Sequence, residues 1–173
     1  MKPTPRFRSW LGAAIALAAV WVFSPSARAA VGDDVATVAA DQARLHASLR
    51  IFRRDAIDAN DANGGFTVHE LAAASGVTIR NFVADAGKIF AVSWSGGWRP
   101  NLRDVMGSHY DRFIAATRGR RVARGVARIE LPGMIVVMGG PQRASFGHVI
   151  LTDLAPAGFI DQFPQIPPIP VQP

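Results

Sequence analysis

Three short stretches in the middle of the chain alternate apolar and polar residues, and two glycine-containing turns join them. Phe66-Thr67-Val68-His69-Glu70-Leu71 has period two and is followed by a turn at Ala74-Ser75-Gly76. Val77 to Val83 alternates again, Asp85-Ala86-Gly87 turns, and Ile89 to Trp94 follows. Successive side chains of a strand point to opposite faces, so period two marks a half-buried strand. Connections this short cannot carry a parallel crossover, so the three runs are predicted to form an antiparallel meander. Alternation along the third run sets Phe90, Val92 and Trp94 on one face and Ile89, Ala91 and Ser93 on the other.

Helical patterns flank this meander. Asp33 and Asp34 suit a first helical turn, and Val35, Val38, Gln42 and Leu45 recur at three- and four-residue spacing, which predicts a helix in the alanine-rich stretch 34–49. Polar residues and turn formers over 52–65 predict a loop. After Gly96-Gly97 and Pro100, Asn101 can cap a helix over 102–117, with Leu102, Val105, Met106, Tyr110, Phe113 and Ile114 on one stripe and Gly107 able to split it. An arginine-rich connection spans 118–128. Met134 to Met138 and Phe146 to Leu151 then form a hairpin around a Gly-Gly-Pro turn. The expected class is α+β: an antiparallel sheet of about five strands, a three-stranded meander plus a hairpin, with helices packed on one face.

The first 29 residues have a different character. Lys2, Arg6 and Arg8 make a positive start, the uncharged run Trp10 to Phe23 follows, and Ser24-Pro25 breaks it before the small residues of Ala27-Arg28-Ala29. A spanning helix needs about 20 apolar residues, so this shorter run suits a cleaved leader better than an anchor. Cleavage is expected before Ala30. Phe7 separates Arg6 from Arg8, so no twin arginine is present, and the general secretory route to the periplasm or exterior is expected. With no cysteine, a lipidated cysteine after the cut is excluded.

Losing the leader changes the electrostatic reading. The chain has 19 Lys and Arg against 13 Asp and Glu, net +6. Removing Lys2, Arg6, Arg8 and Arg28 leaves 15 against 13, or +2. A nearly neutral domain has no general attraction to nucleic acid, whose binding rests on several phosphate contacts. No second apolar stretch is long enough to span a membrane. Residues 30–163 are expected to form one domain whose core needs no disulfide. Residues 164–173 are proline-rich, with Pro164, Pro167, Pro170 and Pro173 along one edge of a polyproline II helix.

Val68-His69-Glu70, then Phe90-Ala91-Val92 with Trp94, then Pro100 with Leu102 and Gly107 with Tyr110, resemble the bacterial exported family known as domain of unknown function 2844. The resemblance covers roughly residues 31–160. Asn81-Phe82 stands where that family usually has glutamate and tyrosine, Asn101 where it has aspartate, and Gly97 where a proline often follows Gly96. The resemblance implies an exported protein and carries no activity with it.

Candidate chemistry is sparse. Residues 59–70 align with a twelve-residue calcium loop through Asp61, Asn63, Gly64 and Glu70, but the first ligand position is Ala59 and the last residues alternate like a strand. Of the four histidines, His46, His69, His109 and His148, none pairs with another at helical spacing, and a strand turns His69 and Glu70 to opposite faces. Ser93 and Ser95 lack the glycines of a nucleophile elbow. No cofactor, metal site or catalytic residue is therefore expected. The feature that points to binding is aromatic: Trp94, Trp98 and Tyr110 lie near Arg99, Arg103 and His109 where a strand gives way to a helix. Amphipathic rings beside guanidinium groups suit contact with a glycan, an envelope protein or an anionic lipid surface, and the arginines of 118–128 suit the last of these. The alternative is that Trp94 and Tyr110 belong to the core, Trp98 covers the glycine turn and 118–128 is a solvated loop. The expected function is that of a non-catalytic binding or structural module of the cell envelope. The competing reading is a small periplasmic hydrolase whose site is assembled from residues distant in sequence.

Overall fold

The computed structural model describes residues 28–54, 65–118, 125–141 and 143–162. Helix α1 (Thr37–Leu45) leads into strands β1 (Ser48–Arg54), β2 (Phe66–Ala72), β3 (Val77–Ala84) and β4 (Ile89–Gly96). Helix α2 (Leu102–Met106), a 3-10 turn (Gly107–His109) and α3 (Tyr110–Thr117) follow. Strands β5 (Ala127–Leu131), β6 (Met134–Gly139) and β7 (Ser145–Leu151) and the short helix α4 (Phe159–Gln162) complete the fold. The strands make one antiparallel sheet in the order β1-β2-β3-β4-β7-β6-β5.

The meander forms as its period predicts, and the sheet has seven strands where about five were expected. The extra strands sit at the two edges. Helix α1 stops early because His46 adopts a left-handed conformation (φ 47°), its N–H and that of Ala47 closing on the carbonyls of Ala43 and Gln42. The chain then pairs Leu49 with Leu71 and Ile51 with His69. Alanine content favours a helix through this stretch, but pairing with β2 outweighs a propensity of a few tenths of a kcal/mol per residue. Arg50, Arg53 and Arg54 are exposed along this edge, and such charges discourage another strand from adding to it. At the far edge, β5 buries Ala127 and Ile129 and exposes Arg128 and Glu130, a period-two pattern concealed in sequence by the arginines before it.

The alternation along β4 is also interrupted. Pairing slips between Phe82 and Val83, where Phe82 faces Ala91 and Val83 faces Ile89, so Phe90 is an extra residue on its strand. Ile89, Val92 and Trp94 consequently share one face, while Phe90 and Ala91 lie on the other. Phe90 is therefore out of step with Val92 and Trp94.

Each face has its own cover. Val38 of α1, Val105 and Met106 of α2 and Phe113 of α3 pack with Leu71, Ile79, Trp94, Val136 and Val149 in the main core. Gly107, at φ 51°, lets the chain turn between α2 and α3 against Ala30, as a splitting glycine should. Phe159 of α4 covers the opposite face, meeting Phe90 edge-on at 4.7 Å beside Phe66, Phe82 and Ile150. Helices thus lie on both faces, because the bulge sends Phe90 to a side that then needs burying. Among the described residues no helix is long and apolar enough to cross a membrane. The proline-rich stretch 164–173 lies outside the described residues.

Candidate functional site

Strand pairing sets Gly96 of β4 opposite Ser145 of β7. The segment that leaves β4, Gly97-Trp98-Arg99, therefore runs beside the turn that enters β7. Between them lies a groove of about 660 Å³ lined by Trp98, Arg99, Gly140, Pro141, Arg143 and Ser145. Trp98 is 70% exposed, the most exposed of the large apolar residues described. Gly96-Gly97 offers no side chain to cover its indole. Arg99 and Arg143 are exposed, and among the described residues neither meets a carboxylate. Ser145 is buried, and its hydroxyl has no hydrogen-bond partner among the described residues. An exposed apolar ring and two exposed cations that meet no carboxylate among the described residues can take a ligand with both a flat apolar surface and a negative charge.

The four residues suggested by sequence do not all gather here. Trp98 and Arg99 do. Trp94 is 2% exposed and packs in the main core, its ring lying over the Cα of Gly147. Tyr110 is half-buried against that core, with the guanidinium of Arg103 4.4 Å from its ring centre. Arg143 and Ser145 were missed, because they reach the groove only through the pairing of β4 with β7.

The calcium reading fails on the strand. Phe66–Ala72 is β2, where a calcium loop would continue into a helix; residues 59–64 lie outside the described residues. Of the arginine stretch, residues 119–124 are outside as well, and Arg128 is held by Glu130 at 2.7 Å.

A second arrangement occupies the face of the sheet that carries α4. Register places Arg50, Glu70, Arg80, Ser93, His148, Val137 and Arg128 in one row across all seven strands. His69 points to the other face, as alternation requires. Within the row Arg80 donates to Glu70 at 2.8 Å, and Ser93 stands directly across from His148. Burial, and then the nearby charge of Arg128, push the His148 imidazole down to about 4. It is therefore neutral at pH 7.

This has a measurable consequence. The unfolded imidazole takes up its proton near pH 6.5; the folded one does so only near pH 4. Its contribution to stability is complete above pH 6.5 and is lost as pH falls from there through 4, by about 2–3 kcal/mol. Urea midpoints at pH 7.5 and pH 4.5 should fall farther apart for wild type than for His148→Gln. Equal drops in the two proteins would refute the assignment.

The profile of the family described as Protein of unknown function (DUF2844) matches residues 27–162. The chain belongs to that family. No curated protein and no solved structure matches the chain. The DUF2844 match spans every strand and helix of the sheet, along with the groove and the polar row, and its description assigns no activity to any of them.

Proposed function

We propose that this protein is exported to the cell envelope and works there as a non-catalytic binding module, with the Trp98–Arg143 groove taking an acidic glycan. The observation that carries the reading is the exposed Trp98 flanked by two arginines that meet no carboxylate among the described residues. An indole face covers the apolar side of a sugar ring, each square ångström removed from water being worth about 25 cal/mol. Guanidinium groups take carboxylate or phosphate in a planar fork. Export is supported by the positive start, the short apolar run and the small residues that follow it.

A hydrolase would draw on Ser93 and His148. Beyond His148 the row continues with Val137 and the cation Arg128, and burial together with that positive charge disfavours the imidazolium that a serine–histidine pair must form. That favours binding over catalysis.

The test is a titration with oligogalacturonate and with a neutral oligosaccharide of equal length. Wild type should bind the acidic chain and lose affinity as salt is raised. Trp98→Ala and Arg143→Ala should each weaken binding about tenfold, the equivalent of 1.4 kcal/mol. Unchanged affinity in both variants, with folding intact, would remove the groove from consideration. Stronger binding to vesicles of anionic lipid than to any glycan would move the ligand class to the membrane surface.

A further inference from the structure

The residues that end the expected leader are part of the folded domain. Ala29 is 4% exposed, and its N–H donates to Asp41 Oδ2 at 3.2 Å. Arg28 pairs with Asp104 at 2.5 Å. Ala30 and Val31 continue the same path: the Ala30 N–H meets Asp33 Oδ2 at 3.2 Å, and the Val31 N–H meets the Val105 carbonyl at 3.0 Å. The stretch thus lies against α1 and α2 without a break at Ala29.

A cut between Ala29 and Ala30 would undo several of these contacts together. Asp41 is 5% exposed, and Arg44 holds its Oδ1. Oδ2 would lose the Ala29 N–H and become a buried acceptor lacking that partner. A new α-ammonium would sit on Ala30, a residue 2% exposed, where its desolvation would be offset only in part by the Asp33 carboxylate. Ala29 also walls a cavity of about 140 Å³ bounded by Leu45, Ile79, Val92 and Val105, and its loss would open those apolar residues to water.

We propose that the leader is removed in front of Ala27 instead, so that the mature domain keeps Ala27, Arg28 and Ala29 as its first residues. Ser24 and Ser26 place small side chains at the two positions the peptidase reads for that cut. The family profile begins at residue 27 as well. The mature chain then holds sixteen basic residues against thirteen acidic ones, net +3.

This inference rests on the export reading, and one measurement separates the two. Intact mass of the protein from the envelope of a native-type host should correspond to a chain beginning at Ala27. A product lighter by Ala27-Arg28-Ala29 overturns the inference and leaves export standing; a full-length chain in the cytosol overturns both. Ser26→Leu serves as a second check, since it alters the residue before the proposed cut. The leader should then be retained or the start should move, whereas an Ala30 start in both wild type and variant overturns the proposal.

Discussion

Glu70→Ala is expected to lower the unfolding free energy by about 3–5 kcal/mol, because it leaves a guanidinium enclosed without its counter-charge. The side chains of Glu70 and Arg80 are 7% and 13% exposed and meet at 2.8 Å between neighbouring strands. Water therefore does little to compensate Arg80 once the carboxylate is gone. The intact pair need not itself contribute much, since desolvating two charges offsets most of their attraction. The double variant Glu70→Leu with Arg80→Met should for that reason cost far less than either single truncation. Urea midpoints for the three proteins at one pH would show this. A loss under 1 kcal/mol for Glu70→Ala would mean that Arg80 is solvated and that the polar row is an ordinary wet surface.

The fate of Glu70 illustrates how much of this fold and site is legible in the chain. Period two over 66–71 places Glu70 opposite His69 in facing, and the glycine turns make β2, β3 and β4 consecutive neighbours. The central meander needs only local information. Arg80 as the partner of Glu70 requires the register of that meander, which alternation alone leaves free by two residues. Edge strands are harder still. In β1 the arginines that protect the edge also blur its apolar pattern, and the alanines before it favour a helix. The bulge at Phe90 has no signature of its own, and the placement of α4 follows from it. Half of the groove is legible for a local reason, since two glycines ahead of Trp98 leave its indole uncovered. Arg143 and Ser145 belong to it through strand order β4-β7, a choice made by the packed core across a separation of some fifty residues. A one-dimensional reading holds no signal for that choice.

The same β4–β7 pairing leaves no room for a side chain at Gly147, and Gly147→Ala tests it. A Cβ built at Gly147 would stand 2.3 Å from Trp94 Cζ2, 2.7 Å from Trp94 Cη2 and 2.6 Å from the Val137 carbonyl oxygen. The indole could turn away only by displacing its neighbours, since Trp94 is among the largest fully buried side chains. The carbonyl belongs to the ladder between β6 and β7 and moves only if that ladder moves. Overpacking usually costs about 1–3 kcal/mol, and a clash with backbone on one side and a buried ring on the other should reach the top of that range or exceed it. Gly87→Ala is the useful contrast, since no atom lies within 4 Å of its Cβ. Its cost should be confined to the positive φ of 77°, about 1 kcal/mol. Chemical denaturation of both variants, with near-ultraviolet dichroism to follow the Trp94 ring, separates crowding from backbone strain. Trp94→Phe in the Gly147→Ala background should recover part of the loss by shortening the ring that the new methyl meets. Oligogalacturonate affinity should also fall in Gly147→Ala, although Trp98, Arg99 and Arg143 are untouched, because β4 and β7 hold the two walls of the groove together. Full stability in Gly147→Ala would show that the Trp94 ring does not rest on this strand, and the account of how the groove is held would have to be abandoned.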